Sequence, residues 1–178
     1  MLVAQAENGE RAVSLYREHR PDLVLMDLRM PVMEGVEAIR SITREFPTSR
    51  ILALTTYEGD ADIRRALEAG ARGYLLKDML LTEVISAIRA VARGERVIPA
   101  TVAARLAEFP EKGDLSEREV EVLQLVARGL GNKEVARAIG RTTETVKIHL
   151  KNIFAKLGAS DRTQAVTIAV DRGVIHLD

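Results

Sequence analysis

Apolar and polar positions divide the chain into two parts with different periods. Up to residue 93, short apolar runs alternate with amphipathic stretches. Asp22-Leu23-Val24-Leu25-Met26-Asp27-Leu28 ends in acid and leucine, Arg50-Ile51-Leu52-Ala53-Leu54-Thr55-Thr56 ends in hydroxyls, and Gly73-Tyr74-Leu75-Leu76-Lys77 is a shorter third run. Near-continuous apolar runs of this length predict strands buried on both faces, as in a parallel sheet. Between and after them, residues 9–19, 36–46, 60–69 and 81–93 read as helices; in the last, Val84, Ile85, Ile88 and Ala92 recur at helical spacing. Strand alternating with helix implies right-handed crossovers and a doubly wound α/β sheet.

From Leu115 onward the strand signal disappears. Ser116 precedes Glu119 by three, a capping-box pattern, and Val120, Leu123, Val126 and Ala127 give that helix an apolar stripe ending at Gly129. Asn132 is placed to cap a short second helix reaching Ile139, closed by Gly140. Thr142 or Thr143 is placed to cap a third running to Leu157, closed by Gly158, and Asp161 opens a fourth that ends near Gly173. Four such helices joined by short turns predict a small all-α unit. The boundaries expected are therefore 1–93 for the α/β part, 94–114 for a linker with a short helix at 101–108, and 115–178 for the helical part.

Composition changes this picture in two respects. The 178 residues contain no cysteine, which excludes a disulfide scaffold and any cysteine-ligated metal centre. Twenty-six basic side chains balance 26 acidic ones, which speaks against coating nucleic acid or membrane by bulk charge. The balance is an average. Residues 1–114 hold 16 Lys and Arg against 18 Asp and Glu, and residues 115–178 hold 10 against 8. Within 141–162, Arg141, Lys147, Lys151, Lys156 and Arg162 face only Glu144 and Asp161. No apolar run approaches membrane-spanning length and no secretory leader pattern opens the chain, so a cytoplasmic location is expected.

The second and third C-terminal helices, joined by Gly140-Arg141, have the proportions of a helix-turn-helix. Val146, Leu150, Ile153 and Leu157 form one stripe of the longer helix, and Lys147, Ile148 and Lys151 point the other way. Lysines one turn apart can reach base edges and phosphates together, and Ile148 can meet a thymine methyl. Thr143 and Thr145, with backbone N–H groups at the helix start, can hold a phosphate. Capping, the preceding short helix and the local positive excess coincide, which favours a DNA-reading helix over a merely solvated basic face. These residues also carry a resemblance. Leu115-Ser116-Glu117-Arg118-Glu119-Val120-Glu121-Val122-Leu123, Gly129 to Ala136, Thr145-Val146-Lys147-Ile148-His149-Leu150, Lys156-Leu157-Gly158 and Asp161 to Ala165 resemble the LuxR-type helix-turn-helix signature. The resemblance aligns Lys147, Ile148 and Lys151 with base-facing positions and Asn132, Lys133, Thr143, Thr145 and Arg162 with backbone-contacting ones. It makes Thr163 to Val170 a pairing helix, Ser116 and Glu119 capping residues, and His149 a ring packed at the domain edge.

The N-terminal part resembles the receiver domain of NarL/FixJ-type two-component response regulators, a flavodoxin-like fold. The matching residues are Pro21 to Pro31, Gly35, Thr55-Thr56 and Ala69-Gly70-Ala71-Arg72-Gly73-Tyr74-Leu75-Leu76-Lys77. The resemblance makes Asp27 the phosphoacceptor, Thr55 the hydroxyl that follows the phosphoryl oxygens, Tyr74 the switch aromatic and Lys77 the neutralising ammonium, with a sensor histidine kinase as partner. An acid, a hydroxyl and a lysine at the C-terminal ends of parallel strands also converge where open α/β sheets place their sites. Receivers hold magnesium with an acidic pair after a first strand. Here Met1 to Ala6 looks like the second strand and no Asp or Glu precedes Glu7. Asp27 and a main-chain carbonyl near Arg29 would make a weak Mg²⁺ site or none, so impaired phosphorylation is expected and no cofactor is required. A missing central strand would leave sheet edges and an apolar face open. Either Met1 to Ala6 pairs with the strand at Leu23, exchanges between protomers or stays unstructured, with a homodimer favoured to cover the gap, or the natural start lies upstream.

Two functional classes follow. One is a dimeric, sequence-specific transcriptional regulator that binds double-stranded DNA and whose receiver serves dimerisation or inhibition. The other is an interaction protein that sequesters a full-length regulator or a kinase without touching DNA. An enzyme is not expected: His19, His149 and His176 lack metal-ligand spacing, and neither a nucleophile elbow nor a phosphate-cradling glycine loop occurs.

Overall fold

The computed structural model describes residues 1–56, 59–108 and 115–177. They form two compact units, one of 1–56 with 63–106 and one of 59–62 with 107–108 and 115–177. Up to residue 108, α1 (Gly9–His19), β1 (Val24–Met26), α2 (Gly35–Glu45), β2 (Ile51–Thr55), α3 (Asp60–Glu68), β3 (Gly73–Leu76), α4 (Leu81–Ala92) and α5 (Ala100–Glu108) follow in order. The three strands pair in parallel as β1-β2-β3, with Met26 beside Ala53 and Ala53 beside Tyr74. Side chains alternate across the sheet. Met26, Ala53 and Tyr74 join a core with Ile39, Ile42 and Ile63 on one face, and Leu52 and Leu75 pack with Ala87 and Val91 of α4 on the other.

The differences from the sequence pattern have local causes. Strand β1 is three residues long, because only Val24–Met26 has a hydrogen-bonded neighbour. Residues 1–6 form no strand, so pairing with the strand at Leu23 does not occur within the chain, and Leu25 on the edge strand stays 44% exposed. On α4 the deeply buried line is Ala87 and Val91, which sit over Leu52 and Leu75, and Ile85 points outward. The stretch after α4 contributes to the sheet as well. Val97 bridges Gly73 in parallel, accepting from the Tyr74 N–H at 3.2 Å and donating to the Arg72 carbonyl at 3.0 Å. Helix α5 then buries Val102 in the same core as Tyr74. Residues 109–114, where Pro110 and Gly113 lead to a linker reading, lie outside the described residues.

The second unit is helical: α6 (Glu117–Ala127), α7 (Asn132–Ala138), α8 (Thr143–Leu157) and α9 (Arg162–Asp171). Ser116 caps α6 with the expected box, its hydroxyl meeting the Glu119 N–H and Glu119 accepting from the Ser116 N–H. On α6 the buried apolar residues are Val122, Leu123 and Val126, and Val120 and Ala127 only flank them. Helix α7 starts differently from the sequence reading. Gly131 is the cap, with its N–H held by Glu134 at 2.7 Å, and Asn132 is already the first helical residue. Thr142 caps α8, Gly158 at φ +66° closes it, and Asp161 caps α9.

Candidate functional site

At the C-terminal ends of the parallel strands, Asp27 follows β1 directly and Lys77 follows β3. Lys77 Nζ donates to Asp27 Oδ2 at 2.5 Å, and the Arg29 N–H meets Oδ1 at 3.2 Å. The Lys77 N–H bonds the Thr55 carbonyl at 2.8 Å, which pins the lysine's strand end to that of β2. Thr55 and Tyr74 are both fully buried, Tyr74 in the core beneath α5 and Thr55 at the sheet end. The sheet thus brings Asp27, Lys77 and the Thr55 backbone together, and Tyr74 stands inward from them.

The loop after Asp27 is shaped by two backbone requirements. Gly35 donates to the Leu28 carbonyl at 2.9 Å, and a Cβ there would lie 2.0 Å from the Asp27 carbonyl oxygen, so only glycine permits this approach. Val32 has φ +69°, and the Met33 N–H closes a three-residue turn onto the Pro31 carbonyl at 2.8 Å. A β-branched residue in that region is strained. The sequence pattern carried no sign of this strain.

Magnesium fits this donor set poorly. Both carboxylate oxygens of Asp27 already have cationic or N–H partners, and among the described residues no three His, Cys, Asp or Glu side chains gather as a metal site. A hard divalent cation seeks several oxygen donors, one or two of them carboxylates.

In the helical unit, Val146, Leu150, Ile153 and Leu157 of α8 are all buried. Lys147, Ile148 and Lys151 are exposed on the opposite side, Ile148 by 57%. A large aliphatic side chain held in water between two lysines suits a ligand that offers both negative charge and an apolar group. Lys147 leans back onto Glu144 at 3.1 Å. Asn132 and Lys133 lie in the first turn of α7 and Thr143 in the first turn of α8. The expectation of a free Thr145 N–H needs correction: that group donates to the Thr142 hydroxyl at 3.2 Å, because Thr142 is the cap. Arg162 gives one guanidinium N–H to the Leu130 carbonyl, anchoring the start of α9 to the α6–α7 turn. His149 is half-buried.

Two contacts escaped the sequence reading. Glu119, only 4% exposed, accepts a hydrogen bond from Lys156 Nζ at 2.7 Å. Burial pushes its carboxyl pKa up, but the bonds from Lys156 and Ser116 outweigh this and hold it below the ordinary carboxylate value. Arg118 donates to the Ile139 carbonyl at the end of α7 at 2.5 Å. The spacing held one clue. Lys156 lies nine residues beyond Lys147, which at about 100° per residue puts it on the opposite side of the helix.

An α/β unit with an acid and a lysine paired at its strand ends, in one chain with a capped helix-turn-helix, is the architecture of a response regulator. Comparison with known proteins agrees. Residues 1–89 match the response regulator receiver domain and residues 114–169 the bacterial regulatory proteins of the luxR family. Transcriptional regulatory protein LnrK of Bacillus subtilis is 42% identical over 97% of this chain and 86% of its own length. The crystal structure of response regulator ChrA, of a heme-sensing two-component system, is 36% identical with a TM-score of 0.53, covering 98% of this chain and 86% of that one. RcsB from Salmonella enterica serovar Typhimurium, solved bound to promoter P1flhDC with a phosphomimetic, is 25% identical with a TM-score of 0.66, over 93% of this chain and 82% of that one. The chain belongs to the LuxR-type response-regulator family.

Proposed function

We propose that the protein is a transcriptional regulator that binds double-stranded DNA sequence-specifically as a homodimer. The observation that carries this is the two-sided α8: a buried stripe fixes the helix, and Lys147, Ile148 and Lys151 face outward together. Asn132, Lys133 and Thr143 are assigned to the phosphate backbone, with Thr145 and Arg162 contributing through their remaining polar groups. RcsB has been solved as two dimers bound to two parallel DNAs, with 25% identity to this chain and a TM-score of 0.65; a two-fold dimer here calls for operator half-sites about one helical turn apart. Among the described residues no helix is long and apolar enough to cross a membrane, and a cytoplasmic location is assigned with the DNA partner. No catalytic role is assigned, and sequestration of another regulator without DNA contact leaves the exposed Ile148 unexplained.

On the receiver, Asp27 is assigned as phosphoacceptor for a sensor kinase, with Lys77 and Thr55 as the groups that would meet the added oxygens and Tyr74 as the buried aromatic that responds. Phosphorylation adds nearly two charges and three acceptors, which the existing Asp27–Lys77 pair can only partly neutralise. We assign the receiver chiefly as a dimerisation or inhibitory module with impaired phosphorylation, because both Asp27 carboxylate oxygens already hold partners. Equilibrium binding to a promoter duplex and to a random duplex of equal length tests the DNA reading: a marked preference for the promoter supports it, and equal affinities overturn it.

A further inference from the structure

We infer that the first turn of α6 is a brace that aims the recognition helix, with Arg118 and Glu119 as positioning residues for base reading. This rests on the DNA-binding reading above. Successive helical residues point about 100° apart, so neighbours on α6 reach different elements. Arg118 spans outward to the Ile139 carbonyl at 2.5 Å while also holding Glu121 at 2.5 Å. Ile139 is the last residue before the turn that leads to Thr142, and its carbonyl is one of those a helix end leaves without an internal partner. Glu119 goes the other way. Its Oε2 takes Lys156 Nζ at 2.7 Å, the Ser116 N–H at 2.8 Å and the Ser116 hydroxyl at 3.0 Å. Lys156 is the penultimate residue of α8. One turn of α6 therefore holds the exit of α7 and the far end of α8.

The lever arm makes these anchors matter for reading rather than for folding alone. Lys151 and Lys147 lie five and nine residues from Lys156, about 7.5 and 13.5 Å along the axis. A pivot of roughly 10° at the Lys156 end would move the reading end by about 2 Å. Hydrogen bonds to base edges do not survive such a shift, because their range spans only a few tenths of an ångström. Contacts to phosphate depend on charge more than on donor–acceptor alignment and tolerate it. Loss of either anchor should therefore reduce discrimination more than non-specific affinity.

The full chain carries the test, with Glu119→Gln removing the ionic half of one anchor and keeping the Ser116 contacts within reach. Arg118→Lys keeps the charge but cannot fork to Glu121 and Ile139 together. Dissociation constants are measured for promoter and random duplexes at one salt concentration, and far-UV circular dichroism gives the folded fraction at the assay temperature. The expected result is a promoter-to-random affinity ratio lowered about tenfold, the loss of one good base contact, with random-duplex affinity and folded fraction near wild type. Should Glu119→Gln fail to fold, Arg118→Lys and Lys156→Gln decide the matter by the same ratio. An unchanged ratio in the folded variants, or a parallel fall of both affinities, overturns the brace. A wild-type ratio near one overturns the DNA reading itself, which separates the two failures.

Discussion

Replacing Lys147 and Lys151 with alanine isolates the recognition surface from the fold. Both side chains lie opposite the buried stripe of α8. The ion pair of Lys147 with Glu144 joins side chains 59% and 74% exposed, so its loss should cost well under about 1 kcal/mol of stability. Binding is another matter. Each lysine that neutralises a phosphate contributes about 0.9 to the slope of log K against log salt, so the double variant should flatten it by about 1.8. Each lysine that instead reaches a base edge contributes about 1–3 kcal/mol of discrimination, and its loss shows as a lower promoter-to-random ratio at fixed salt. The two singles should differ. Lys147→Ala also frees the Glu144 carboxylate beside the DNA, so it should weaken binding more than Lys151→Ala, and Glu144→Gln should tighten binding. Fluorescence anisotropy titrations from low to moderate salt, with thermal melts alongside, measure all of this. A double variant that binds the promoter as tightly as wild type, with the same salt slope, refutes the assignment of this face to DNA.

Three further expectations concern the scaffold. Val32→Gly should stabilise the receiver by about 0.5–1 kcal/mol: relief of a strained positive φ is worth about 1–3 kcal/mol, partly offset by added freedom in the unfolded chain, and an unchanged urea midpoint contradicts the strain. Gly35→Ala should destabilise by roughly 2 kcal/mol or more, since the added carbon meets the Asp27 backbone carbonyl and not a movable side chain; wild-type stability would rule out that close approach. Glu119 has a folded pKa below its ordinary value of 4.5, so it contributes stability above that pH and loses it as pH falls through the lower folded value. Denaturant midpoints taken through this acid range should therefore fall in wild type and fall less in Glu119→Gln, and identical profiles refute the linkage.

The sequence made visible whatever repeats along one element, and concealed whatever depends on a second element. The line Val146, Leu150, Ile153 and Leu157 was legible because helical period alone selects it, and the structure buries all four. Lys147, Ile148 and Lys151 were legible as its complement. The Asp27–Lys77 pair was legible by another route, since parallel strands carry their C-terminal residues to one edge. Glu119 defeated the same logic. An acid three residues after Ser116 reads as a capping and structural residue, as the capping box shows, but nothing on its own helix says that a lysine 37 residues later will bond it. Lys156 belongs to the local positive excess by count, and its exposed ammonium is shared with Glu119. At Thr145 the pattern is ambiguous, because two threonines in succession could each be the cap, and the choice of Thr142 consumes the N–H that Thr145 would have offered. Val97 shows the limit most directly. Its segment has the glycine and proline of a connector, yet its backbone extends the edge of β3, because that edge has free N–H and C=O groups that any nearby extended chain can satisfy. Periodicity predicts which surface an element buries. The polar contacts that aim one element against another are set only when the elements meet, and in this protein those contacts, at Arg118 and Glu119, determine how the legible recognition face is presented.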